Sequence, residues 1–167
     1  MSQGDRYRLM KNIVSRAITR SWQPGKAATA GLIATIIYSI AMESDKFLIG
    51  NRFSDVRFID GMLEGEKRTG GGMTLAWIIH LLNGIVLAEI YAAIVKRFLP
   101  GPAWLRGILF SEIFVAGAWW LTPLADKHHP LIKNGEMPQL ANWRSFWQNS
   151  LRHLAFGLTL GLLYRDK

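Results

Sequence analysis

Apolar positions along the chain gather in four long blocks, Ala27 to Met42, Met73 to Val95, Ala103 to Leu124 and Phe146 to Tyr164. Each is close to the ~20 residues that a helix needs to cross ~30 Å of hydrocarbon. A water-facing helix would interrupt such a run with a polar face on every turn along its whole length. The pattern predicts an all-α polytopic membrane protein, one domain over residues 1–167, with four transmembrane helices at 27–43, 73–96, 103–124 and 146–164.

The segments between the blocks have patterns of their own. Within residues 1–25, Leu9, Met10, Ile13, Val14, Ala17 and Trp22 fall near one side of a helix from Arg6 to Trp22, with Arg6, Lys11, Arg16 and Arg20 elsewhere. That is the signature of a basic amphipathic helix lying on an anionic membrane surface. Pro24-Gly25 then breaks the chain. In the first outer loop, 44–73, Ser54 is placed to cap a short interfacial helix in which Val56, Ile59, Met62 and Leu63 share a side and which Gly65 ends; Gly70-Gly71-Gly72 follows as a hinge. Pro100-Gly101-Pro102 forces a tight turn between the second and third blocks. Trp119 and Trp120 sit at the end of the third block as an interfacial belt. The second outer loop, 125–144, is polar and holds His128 and His129.

Charge fixes the expected orientation. The chain has 20 Lys and Arg against 12 Asp and Glu, a balance that raises nucleic acid as a partner. The basic residues lie instead in alternate connections: Arg6, Arg8, Lys11, Arg16, Arg20 and Lys26 before the first block, Lys96, Arg97 and Arg106 between the second and third, Arg165 and Lys167 after the fourth. The positive-inside rule assigns these to the cytoplasm. Both termini are therefore expected inside, in a bacterial inner membrane, with the lipid bilayer rather than nucleic acid as the partner. The basic start ahead of the first block does not read as a cleaved signal, so the first span is expected to stay. Absence of Cys excludes disulfides and thiolate chemistry.

Several residues from the second block onward resemble a pattern in small bacterial inner-membrane proteins of four helices typified by the YagU-like family. These are His80 with Tyr91 eleven residues later, Phe98 and Trp104 around the turn, Gly107, Pro123-Leu124, and His153-Leu154-Ala155-Phe156-Gly157 leading to Tyr164-Arg165. The chain departs from that pattern in lacking Cys and in its His128-His129 loop. The resemblance implies four spans and an inner-membrane location, and it implies no reaction.

Ionisable residues inside spans are costly and so ask for a partner or a purpose. Here they are His80 and Glu89 in the second span, Glu112 in the third, and Arg152 and His153 in the fourth. Both even-numbered spans descend from outside, so at ~1.5 Å per residue His80 and His153 lie at similar depths, roughly 10 Å below the outer surface. Asn83 is one turn below His80 and Asn149 one turn above His153. The four form a candidate site for haem, a metal ion or a quinone head group, against the plainer reading that each His fixes helix register. His128 and His129 are a weaker candidate for metal. Glu89 is half a turn around from His80, which separates the two. Glu112 is expected to pair with Arg152, or with Arg106 by snorkelling, as a structural charge, with a proton relay through Glu112 as the sharper alternative.

No HExxH, GxSxG, phosphate-loop or dinucleotide pattern is present, and Gly70-Gly71-Gly72 lacks the following Lys. Enzymatic activity is not expected. The residues point first to a non-enzymatic accessory or assembly subunit, in a homo-oligomer or with other membrane subunits, because small and aromatic residues crowd the spans. The alternatives are a redox or ligand-binding protein using His80 and His153, and a small proton or solute transporter, for which four spans are few.

Overall fold

The computed structural model describes residues 3–8, 22–48, 50, 52–65 and 70–165. Most of the amphipathic helix expected from Arg6 to Trp22 falls on residues 9–21, outside the described residues. Every regular element among the described residues is helical. The elements are α1 (Pro24–Leu48), α2 (Asp55–Glu64), α3 (Gly71–Ala93), a 3-10 turn at Val95–Arg97, α4 (Ala103–Trp119), α5 (Thr122–His128), α6 (Pro130–Lys133) and α7 (Trp143–Leu163).

The helices are sided in the reverse of the sense that water imposes. Ala27, Ala30, Ala34, Ala76, Ala88 and Ala92 are buried, while Leu32, Ile33, Ile36, Ile37 and Ile40 of α1 and Ile78, Leu82, Val86 and Ile90 of α3 are exposed. α1 and α3 are long and apolar enough to cross a membrane, and α4 with α5 make a third such span if that bent pair is taken as one. α7 falls short of that level because Gln148, Asn149, Ser150, Arg152 and His153 occupy its first half. The helices also overrun the apolar blocks, α1 covering Pro24–Leu48 where the block suggested 27–43.

The third block is broken. α4 ends at Trp119, and α5 leaves it at 50°. Pro123 has no N–H to give the carbonyl of Trp119 four residues back, and the Thr122 hydroxyl donates to that carbonyl instead at 2.7 Å. The chain beyond then folds as α5 and α6 where the sequence suggested only a loop. In the first connection, Ser54 caps α2 by accepting from the Arg57 N–H, and Gly65 closes it with φ of 63°. The Glu64 carboxylate accepts from the Gly72 N–H at 2.7 Å, so the end of α2 caps the start of α3.

Two helix pairs meet backbone to backbone. In α1 and α3, a Cβ on Gly31 would lie 2.6 Å from Ala88 Cβ and 2.8 Å from the Gly84 carbonyl, and one on Gly84 would overlap the Thr35 hydroxyl. In α4 and α7, Gly107 lies against Gly157 and Gly161 so closely that a Cβ on Gly107 or Gly157 would collide with the other's carbonyl oxygen. Gly157 and Gly161 are a small-xxx-small pair in use as a contact.

Between the pairs, α1 packs on α7, whereas α3 and α4 make no extended contact although a short turn joins them. The four long helices thus form an open series in the order α3, α1, α7, α4. At the turn end the opening is closed by Tyr91, whose ring lies 5.3 Å from that of Phe110 and 6.4 Å from that of Tyr164, with Lys96 Nζ 4.7 Å from the Tyr164 ring centre. At the other end α2 lies across α3 as a roof.

These contacts set an expectation for stability. Gly157→Val should destabilise the folded protein in mild detergent by about 1–3 kcal/mol, as forced overpacking does. Gly117→Ala, where nothing lies within 4 Å of the added Cβ, should stabilise by up to ~1 kcal/mol through helix propensity. Thermal unfolding of the two purified variants checks both signs.

Candidate functional site

Between the Tyr91 closure and the α2 roof lies a cavity of about 340 Å³. It is lined by Thr35 and Tyr38 of α1, Asp55, Phe58 and Ile59 of α2, and His80, Asn83, Gly84 and Leu87 of α3. Phe114 and Ala118 of α4 and Asn149, His153 and Phe156 of α7 complete it. His80 and His153, placed at similar depths by helix rise, and Asn83 and Asn149, each one turn away from its histidine, all line this one space.

Helical register explains the convergence. His80 is buried on the α3 face that carries Ala76, Gly84 and Ala88 toward α1. Its Nε2 is 3.0 Å from the Ser39 Oγ, which in turn donates to the Thr35 carbonyl at 2.8 Å. With the Ser39 hydrogen so used, His80 Nε2 is the donor in the first contact. His153 Nδ1 lies 3.0 Å from the Asn149 carbonyl, an atom that only accepts, so Nδ1 carries the hydrogen.

Tyr38 is the hub that the sequence reading did not name for the site. Its ring centre is 5.8 Å from that of His80 and 4.9 Å, edge-on, from that of His153. Its hydroxyl donates to Asp55 Oδ2 at 2.7 Å, with the Asn149 carboxamide oxygen 3.0 Å away. In the sequence Tyr38 is one residue inside the first apolar block, with nothing local to mark it. Asp55 directly follows the capping Ser54, and that place at the start of α2 was the available signal.

The other predicted residues are arranged differently. Arg152 does not pair with Glu112. It is 1% exposed, and its Nε lies 2.6 Å from Asp45 Oδ2, while Ser150 donates to Glu112 Oε2. Positions 150 and 152 are some 200° apart around α7, so the side that meets α4 and Glu112 cannot also carry Arg152, which turns toward α1. A relay through Glu112 and Arg152 therefore has no direct link. Glu89 is held far from His80, accepting from the Trp22 indole N–H at 2.7 Å.

His128 and His129 are likewise divided. His128 is exposed, whereas His129 is buried, stacked on Phe58 at 4.2 Å, and donates from Nε2 to the Phe58 carbonyl at 2.8 Å. One histidine pins the roof helix and its neighbour faces away, so they do not form a metal pair. Among the described residues no group of three or more His, Cys, Asp or Glu is placed to hold a metal ion. The cavity offers hydrogen-bonding groups against an aromatic and aliphatic wall, the usual make-up of a small-molecule site, and its volume is at the low end for one.

Comparison with protein-family models, curated proteins and solved structures finds no match to this chain.

The Asp45 and Arg152 pair is the most deeply placed charge contact described. Asp45→Ala should destabilise by about 3–5 kcal/mol, the usual cost of leaving a buried guanidinium without its carboxylate. Glu43→Gln, which breaks the partly exposed contact with Lys46, should cost no more than about 1 kcal/mol. Chemical denaturation of both variants in the same detergent measures the contrast.

Proposed function

We propose that the chain is an integral membrane protein of four spans, α1, α3, α4 with α5, and α7, which holds a small ligand in the cavity between them. The observation that carries the ligand reading is the meeting of His80, Asn83, Asn149 and His153 with Tyr38 and Asp55 around one space. Polar side chains within a bilayer are expensive unless satisfied, and a ligand that meets them offsets that cost. Asn83 sharpens the point: it is exposed at the mouth of the cavity and makes no hydrogen bond to another described residue.

The four-span topology rests on the inside-out siding of the helices and on aromatic residues at both ends. Trp120, Trp143 and Trp147 are exposed where α4 ends and α7 begins, and Trp22, Phe98 and Trp104 are exposed at the opposite end. In this reading the α2 roof is external and interfacial, the α3 to α4 turn is cytoplasmic with both termini, and the membrane is a bacterial inner membrane. The resemblance to the YagU-like pattern, carried by His80, Tyr91, Phe156, Gly157 and Tyr164, would imply the same layout.

Assembly with other membrane subunits, or with a second copy, has weaker support. The exposed aliphatic stripes of α1 and α3 meet the needs of lipid as well as those of a partner helix, so they do not favour a partner.

Two measurements test these statements. The absence of native Cys makes single-cysteine labelling clean. Lys133→Cys should react with an impermeant maleimide in intact cells and Phe98→Cys only after permeabilisation; the reverse order would overturn the topology. Native mass spectrometry of gently extracted protein should show a bound small molecule that Asn149→Leu and His153→Leu each lose. Protein free of any adduct would refute the ligand reading, and an adduct with a Soret band would reassign it to haem.

A further inference from the structure

The cavity has two properties that select among ligands, the way in and the balance of donors to acceptors. The way in lies between α3 and α4. These helices make no extended contact, and the cavity residues that they contribute at the edge, Asn83, Phe114 and Ala118, are exposed. Tyr91 and Phe110 close the gap at the turn end, and Phe58 under the pinned roof closes the other. The opening therefore faces sideways, along the surface that carries the exposed Leu82, Val86 and Ile113.

The polar groups inside have mostly used their hydrogens. Thr35 donates to the Gly31 carbonyl, Tyr38 to Asp55, His80 Nε2 to Ser39 and His153 Nδ1 to the Asn149 carbonyl. A neutral imidazole so engaged presents its second nitrogen as an acceptor. His80 Nδ1 and His153 Nε2 have no hydrogen bond to another described residue. The lining then holds two free imidazole acceptors and the Asp55 carboxylate, with only the carboxamides of Asn83 and Asn149 left to donate. No Lys or Arg lines the space, and the rings of Tyr38, Phe58, Phe114 and Phe156 do. Buried Arg152, next to His153 in the chain, is engaged by Asp45 and does not line the wall, so a phosphate, sulfonate or carboxylate head would meet the Asp55 carboxylate there. A cation with N–H donors meets the carboxylate, the bare imidazole nitrogens and the ring faces together.

We propose that the cavity binds the protonated nitrogen head of an amphiphile dissolved in the membrane, which enters sideways between α3 and α4. The proposal rests on the ligand-binding reading above and adds the ligand's charge class and its route. Asp55 supplies the charge, His80 and His153 accept the N–H hydrogens, and the aliphatic tail lies in the opening past Asn83 and Phe114.

The test uses the full chain in phosphatidylcholine vesicles and three photoreactive probes, each a diazirine-bearing alkyl chain ending in a primary ammonium, a hydroxyl or a sulfonate. The ammonium probe should label peptides containing Asn83 and Phe114 at least about tenfold more than the sulfonate does, as expected for one close charge pair. Asp55→Asn should remove that preference and Asp55→Glu should keep it, a pattern that loss of folding would not produce. Equal labelling by the three probes would overturn the charge class and leave the cavity reading intact. A native-mass adduct without labelling at Asn83 or Phe114 would overturn the route, whereas absence of any adduct would remove the underlying reading itself.

Discussion

Close approach of backbones at glycine is the constraint on which the rest of this architecture depends. Apolar helices gain nothing from burial against one another when the surroundings are themselves apolar, so contact has to come from close packing and from polar links. Gly31 with Gly84, and Gly107 with Gly157 and Gly161, provide the first kind of contact and define two tight pairs, α1 with α3 and α4 with α7. The second kind joins the pairs. Along the α1 and α7 seam, Arg152 meets Asp45, Tyr38 meets Asn149, and Lys26 donates to the Arg165 carbonyl. Between α3 and α4 the described contacts sit at the turn end, where the Tyr91 ring meets Phe110 and its hydroxyl lies 3.5 Å from the Ala103 carbonyl. A bundle built from two pairs and one polar seam is open on its fourth side, and the cavity is the upper part of that opening.

This division explains why α7 is the least apolar of the long helices. It serves two masters along its length: its second half carries Phe156, Gly157, Leu160 and Gly161 into the tight pair, and its first half carries Gln148, Asn149, Arg152 and His153 into the seam and the cavity. Hydropathy alone undervalues such a helix. The contact of buried Arg152 with Asp45 spans 107 residues and ties the end of α1 to the middle of α7.

The parts of the fold that follow local rules could be read along the chain. Ser54 and Gly65 bound α2 because an oxygen at the N-cap and a left-handed residue at the C-terminus are local requirements. The shared level of His80 and His153 follows from helix rise and the sense of each span, which needs no knowledge of contacts. What escaped the sequence depends on rotation between helices. Glu112 and Arg152 were matched by charge and by the reach of the Arg side chain, but the choice of Asp45 rests on which side of α7 faces α1, and packing of Gly157 against Gly107 helps to set that angle. The break after Trp119 was missed for another reason: Pro123 stood at the edge of the block, where a proline reads as an ending rather than as the bend from which α5 and α6 begin. His128 and His129 looked equivalent as neighbours, and a single step in register put one on Phe58 and the other outside.

The acceptor-rich character of the cavity has a general cause in helix chemistry. Inside a helix every backbone N–H beyond the first turn is already given to a carbonyl four residues earlier, while a carbonyl oxygen has a second lone pair to offer. A side-chain donor can therefore be satisfied within its own helix, as Thr35, Ser39, His153 and Thr159 are by the carbonyls of Gly31, Thr35, Asn149 and Ala155. A side-chain acceptor has no equivalent resource, because no backbone hydrogen is free to reach it. Polar residues placed in the middle of long apolar helices thus tend to turn their hydrogens inward and leave their lone pairs facing whatever space remains. In this chain one exception is informative: the Tyr38 hydroxyl, too long to reach its own backbone, donates to Asp55, and so ties the roof helix over the acceptors that α3 and α7 present.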